Sequence, residues 1–190
     1  TTEIYTLSLH DALPISRGGT ARGGRRRGAP LQDLASGGPA VKRQPRGTAA
    51  KFEEEGDAYY TVYWSPLAKV DKYRINGSVP AYSGIYEIYY MDFGKKLNYL
   101  SVAKTWYGGL RYALRTRTDP ELETEPRRKQ LLADYDCYYR HCMVDSSPDM
   151  DDLLFYFEQV HYPGRSRQPH SGRYIRIHVR ELSDDKIVTI

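Results

Sequence analysis

From residue 52 onward, short β-type runs alternate with stretches of helical spacing. Ala58–Trp64 (AYYTVYW) concentrates aromatic and β-branched residues and predicts a strand. Asn76–Gly77 predicts a turn. Tyr82–Met91 (YSGIYEIYYM) and Leu97–Thr105 (LNYLSVAKT) predict two strands joined through Asp92–Lys96, an antiparallel hairpin. Alternation places Tyr86, Ile88 and Tyr90 on one face of the first strand, and Leu97, Tyr99, Ser101 and Ala103 on one face of the second.

Gly109–Arg117 (GLRYALRTR) has helical spacing, with Leu110, Ala113 and Leu114 as its apolar stripe and Arg111 and Arg115 as neighbours on another face. Asp119–Pro126 reads as a loop, Arg127–Asp134 as a short helix and Cys137–Val144 as a third strand of the central unit. The strongest helix follows. Ser147 is placed to cap it, Pro148 suits its first turn, and Met150, Leu153, Leu154, Phe157 and Val160 form its core face. Pro163–Gly164 ends it. Tyr174–Leu182 alternates again, and Asp184–Asp185 turns the chain into a last strand, Lys186–Ile190, so that residues 173–190 predict a hairpin. This order predicts an α+β fold with a mostly antiparallel sheet and helices packed on it, in one domain spanning residues 52–190.

The first 51 residues differ. Residues 1–15 (TTEIYTLSLHDALPI) reproduce, residue for residue, one reading frame of a common short-read sequencing adapter, and they are excluded from the fold as an adapter-derived artefact. Residues 16–51 are rich in Gly, Arg, Ala and Pro without apolar periodicity, which predicts disorder. Two readings stand for them: a basic arm that contacts nucleic acid, or translated GC-rich DNA that is not native coding sequence, as in a metagenomic fragment. The overall net charge of +4 depends on this segment, which carries nine basic residues and one acid. Residues 52–190 carry 19 basic and 21 acidic residues, so their composition is no argument for nucleic-acid binding, and a local basic face is needed instead. No run approaches the roughly 18 apolar residues of a membrane helix. Cys137 and Cys142 have no metal-ligand spacing and read as small buried hydrophobes. A cytoplasmic protein without a membrane partner is the expectation.

The centre of the domain carries a recognisable series. Pro80 precedes Gly84–Ile85–Tyr86; Tyr99–Leu100–Ser101 lies on the next strand; a helix with Arg111 and Arg115 follows, then a strand and a helix bearing Glu158. Over roughly residues 79–163 this resembles the GIY-YIG endonuclease domain. The resemblance implies hydrolysis of DNA phosphodiesters with Mg²⁺ or Mn²⁺. It implies Tyr86 as general base, Tyr99 in a positioning role, Arg111 or Arg115 on the phosphate, and Glu158 as the metal ligand. Departures from the pattern are Leu100 for Ile, Ser101 for Gly, and Ala113 where an ungapped alignment puts the Arg.

Each of these residues also has a structural reading: a core strand tyrosine, a solvated helix face, a boundary carboxylate. Three functions therefore remain open, namely a nuclease, a catalytically decayed relative that binds nucleic acid or protein, and an unrelated α+β domain. Arg165, Arg167, Arg173, Arg176 and Arg180, with His178 and Tyr174, form the one local basic concentration of the folded part, able to grip a phosphate backbone or stack a base. A plain solvent face of an edge hairpin is the other reading of that stretch.

Overall fold

The structure, a computed structural model, describes residues 45–164 and 167–184. The adapter-like residues, most of the Gly/Arg-rich segment, Arg165 and the last predicted strand lie outside the described residues.

Strands β1 (Thr48–Glu54) and β2 (Asp57–Tyr63) open the fold, followed by β3 (Ala68–Lys69), helix α1 (Lys72–Ser78), β4 (Gly84–Met91), β5 (Leu97–Thr105), α2 (Gly109–Arg117), α3 (Pro126–Asp134), β6 (Asp136–Met143), α4 (Ser147–His161) and β7 (Ile177–Leu182). The strands form one sheet in the order β5-β4-β6-β1-β2-β7, with β3 also paired to β6. The β4–β5, β4–β6, β3–β6 and β1–β2 pairings are antiparallel; β1–β6 and β2–β7 are parallel. The fold is α+β with a mostly antiparallel sheet. None of the helices among the described residues is long and apolar enough to cross a membrane.

Helices cover both faces of the β5-β4-β6 half. On one side, Ile85, Val102 and Cys142 pack with Met150, Leu153, Leu154 and Phe157 of α4, and this core continues into Ala58, Tyr60 and Val62 of β2. On the other side, Tyr86, Ile88 and Tyr139 pack with Ile75 of α1 and Leu110 and Leu114 of α2. The second core draws nothing from β1, β2 or β7.

Several local expectations change. β1 begins at Thr48, so the folded unit starts inside the segment read as disordered: its residues alternate poorly, but every one of them pairs with β2. Asn76–Gly77 is not a turn but the end of α1, which Asp71 caps by accepting from the Arg74 N–H and which Ile75 anchors in the core. Ser146, not Ser147, caps α4, and Val160 is exposed while its neighbour His161 takes the sheet-facing position at the helix end. β7 pairs in parallel with β2, a partner far away in sequence that no local pattern names.

Gly84 explains itself sterically. A Cβ there would lie 2.2 Å from the Cys142 carbonyl oxygen, so only glycine lets β4 and β6 approach at that point. Gly84→Ala is expected to lower unfolding free energy by about 1–3 kcal/mol, the scale of an overpacked core. Gly77→Ala faces open space in a helix and is expected to raise it by up to about 1 kcal/mol. Urea denaturation of both variants checks the contrast.

Candidate nucleic-acid interface

The residues proposed for catalysis do not converge. Tyr86 is buried in the α1/α2 core. Its hydroxyl is held up in pKa by burial, against the pull of Arg117, which hydrogen-bonds it, and of Arg128. Tyr99 lies on the other face of the sheet. A register shift after Ile88 pairs Ile88 with Ser101 but Tyr89 with Tyr99, so Leu100 is the extra residue of a β-bulge. The bulge reverses the alternation, and Tyr99 joins Tyr89 on the α4 side, its ring 3.8 Å from that of His161 at the end of α4. The expectation that Tyr99, Ser101 and Ala103 share a face is therefore corrected: Ser101 accepts from Arg128 of α3 at 3.1 Å, on the Tyr86 side.

Arg111 and Arg115 separate as well. The Arg111 Nε–H donates to the Val79 carbonyl at 2.8 Å, tying α2 to the end of α1, while Arg115 is exposed. The arginines that approach Tyr86 are instead Arg117 and Arg128, which sequence reading missed because α3 reaches the sheet only through tertiary packing. Glu158 accepts the backbone N–H groups of Arg167 and Gln168 at 2.7 and 2.9 Å. It fastens the loop after α4, and its Oε2 is committed to two donors. No group of three or more metal-ligating side chains gathers among the described residues.

What the sheet does assemble on the α4 side is a buried ion chain. Glu87 is fully buried and faces Arg140 across the β4–β6 register, and their side chains form a short ion pair. Tyr89 donates to the same carboxylate at 2.5 Å, and His161 Nε2 lies 3.4 Å from its other oxygen. Arg140 continues to Glu181 of β7 at 3.0 Å, stacks over the Trp64 ring at 4.4 Å, and shares Glu181 with the Trp64 indole N–H. Burial pushes the Glu87 carboxyl up, but His161, Arg140 and Tyr89 outweigh it and hold it below the usual carboxylate range. A second chain lies at the start of α4, where Asp149 and Asp152 accept from Tyr60 and from Arg173. Both networks are braces between elements, each pairing a carboxylate with an arginine. Ser65 and His141 form a third: the Ser65 hydroxyl lies 3.1 Å from His141 Nδ1, and burial depresses that imidazole to about 4.

The predicted basic cluster divides along the same lines. Arg173 points to the α4 side and is spent on Asp149 and Asp152; Tyr174 goes with it, bonded to Lys51 and Glu53. Tyr174 lies outside the strand, so it does not share a face with Arg176 and Arg180 as alternation suggests. Arg167 is exposed on the loop that Glu158 holds. Arg180 shares the opposite face of β7 with His178, and Arg176, just before the strand, reaches the same side at Asp57. There the register aligns Phe52, Tyr59 and His178 across β1, β2 and β7. The Tyr59 and His178 rings stack at 4.6 Å and 10°, and Phe52 meets Tyr59 at 6.0 Å. Phe52 is 59% exposed and Tyr59 39%. Asp57 lies 3.5 Å from Arg176 and 3.4 Å from His178, and its cross-strand partner Glu54 is on the same face. Exposed aromatics beside arginines on an uncovered sheet face can stack bases and hold phosphates. Sequence reading missed Phe52 and Tyr59 because neither lies near the arginines in the chain.

The sign of the acid response follows from Glu87. A carboxyl held below its ordinary value of 4.5 contributes stability that is present above that value and is lost as pH falls through the folded one. Unfolding free energy is expected to fall as pH drops below about 4.5, read as the urea midpoint against pH. Arg140→Ala, which strands the buried carboxylate, is expected to cost about 3–5 kcal/mol at neutral pH.

No curated protein and no solved structure matches the chain. From the first residue of β1 onward, over residues 48–190, the sequence matches the profile of a family described as "Uncharacterised protein", and the chain belongs to that family.

Proposed function

We propose that this domain is a nucleic-acid-binding module that works through the open face of β1, β2 and β7, rather than an assembled nuclease. The observation that carries the reading is the ring row Phe52–Tyr59–His178 with Arg176 and Arg180 beside it, on a part of the sheet that the α1/α2 core does not reach among the described residues. The rings supply sequence-tolerant stacking and the arginines supply phosphate contacts that release counterions. The folded part is slightly acidic overall, so this local cluster, not net charge, is what recognises the polyanion. Cys137 and Cys142 are buried and unpaired, which suits a reducing, cytoplasmic setting.

A divalent-metal nuclease similar to GIY-YIG enzymes is the second reading. In its favour stand the Gly84–Ile85–Tyr86 strand, its hairpin with β5 and the order of elements that follows. Against it stand the placement of Tyr86 and Tyr99 on opposite faces and the engagement of Glu158 with backbone. A catalytically decayed relative of that family accommodates both sets of observations, and this is the form of the proposal.

The full chain is expected to retard labelled DNA in a salt-dependent way. Replacing Arg176 and Arg180 together by Ala is expected to lower affinity and to reduce the log–log salt slope by about 2. Asp57→Asn removes the carboxylate that competes for Arg176 and His178, and it is expected to tighten binding. With Mg²⁺ or Mn²⁺, branched, single-stranded and duplex DNA are expected to remain intact; metal-dependent cleavage that disappears in Tyr86→Phe would instead establish the nuclease.

A further inference from the structure

We infer that the open β1–β2–β7 face takes single-stranded nucleic acid, with an unpaired base added to the Tyr59–His178 stack and its flanking phosphates held by Arg176 and Arg180. The inference rests on the reading that this face binds nucleic acid and names the form that it selects.

The geometry of the rings decides between strand and duplex. Tyr59 and His178 are cross-strand partners and lie nearly parallel, so they stand as a two-ring stack rising from the sheet. His178 belongs to β7, which ends the strand order among the described residues, and its side chain is 41% exposed. A stack with a partly open end is extended by one more flat ring. In a duplex every base face is already covered by its neighbours, and only an unpaired base can offer one.

The arginines fit the same geometry. Arg176 and Arg180 sit two residues either side of His178, which along extended chain is roughly 7 Å each way. The two backbones are thus roughly 14 Å apart, wider than the gap between successive phosphates, and the long arginine side chains reach inward to phosphates on either side of a nucleotide stacked on His178. Arg176 has a 72% exposed side chain and only a 3.5 Å pairing with Asp57, a contact that a phosphate displaces at small cost. Phe52, tilted at 39° at the other end of the row, is placed to cover a neighbouring base. Stacking strength rather than hydrogen bonding then sets what sequence preference the face has.

The test measures fluorescence anisotropy of the full-length chain with three labelled probes of equal length: a 12-nucleotide oligothymidine, a mixed-sequence duplex of 12 base pairs, and a 12-nucleotide abasic strand that keeps the phosphates without bases. The oligothymidine is expected to bind at least about tenfold more tightly than the other two, the scale of one or two stacked bases. Tyr59→Ala and His178→Ala are each expected to remove most of that advantage, while Tyr59→Phe keeps it. Both positions are at the surface, and an unchanged thermal midpoint confirms that a variant is folded. Equal binding of the duplex or the abasic strand would overturn the inference and leave the nucleic-acid reading standing on its phosphate contacts. Binding of none of the probes would overturn both.

Discussion

The Glu87–Arg140–Glu181 chain, buried at Glu87 and Arg140 and open at Glu181, holds the two halves of the sheet together. Strands β1 and β6 share a single register pair, Thr48 with Met143, so backbone pairing alone joins β5-β4-β6 weakly to β1-β2-β7. The charged chain crosses that seam: Glu87 is on β4, Arg140 on β6, Glu181 on β7, and Trp64 follows β2. Placing a full carboxylate where no water reaches is costly unless its lone pairs are met, and Arg140, Tyr89 and His161 surround this one. The same charges anchor the end of α4 through His161, so helix, seam and core share one brace.

A single extra residue in β5 has the largest consequence for function. In a regular hairpin, Tyr86 and Tyr99 face the same way and a shared site is possible. The bulge at Leu100 sends Tyr99 to the α4 side, where it stacks on His161 above the ion chain. The two residues that most suggest a nuclease are thereby divided by the thickness of the sheet. Tyr86 keeps arginines near its hydroxyl, but they come from positions 117 and 128, and its ring is packed among aliphatic side chains.

Helix coverage then distributes what is left. Helix α4 lies along the whole inner face, while α1 and α2 reach only the β4-β5-β6 half of the outer one. The outer face of β1, β2 and β7 keeps its rings exposed; strand alternation turns Arg180 toward it, and Arg176, just before β7, approaches Asp57 there. Arg173, a few residues earlier, is drawn to the other side because Asp149 and Asp152 at the start of α4 need a counter-charge. One run of basic sequence thus serves two purposes, brace and surface.

Local order was legible from sequence where a physical signal is local. The β4–β5 hairpin follows from two β-rich runs and a short turn, α2 from its apolar spacing, and α4 from its proline, its acidic first turn and the stripe Met150, Leu153, Leu154 and Phe157. The α+β class follows from the order of those pieces. The burial of Cys137 and Cys142 follows from their setting on an apolar strand. What only tertiary structure decided involves partners distant in the chain. The bulge at Leu100 fixes a register that alternation cannot reveal. β1 is a strand because β2 pairs with it, not because of its own residues. β7 joins β2 across more than a hundred residues, and that pairing alone puts His178 against Tyr59. A sequence states which residues are able to stack, pair or ionise; the sheet order, by bringing remote strands to one face, settles which of them meet.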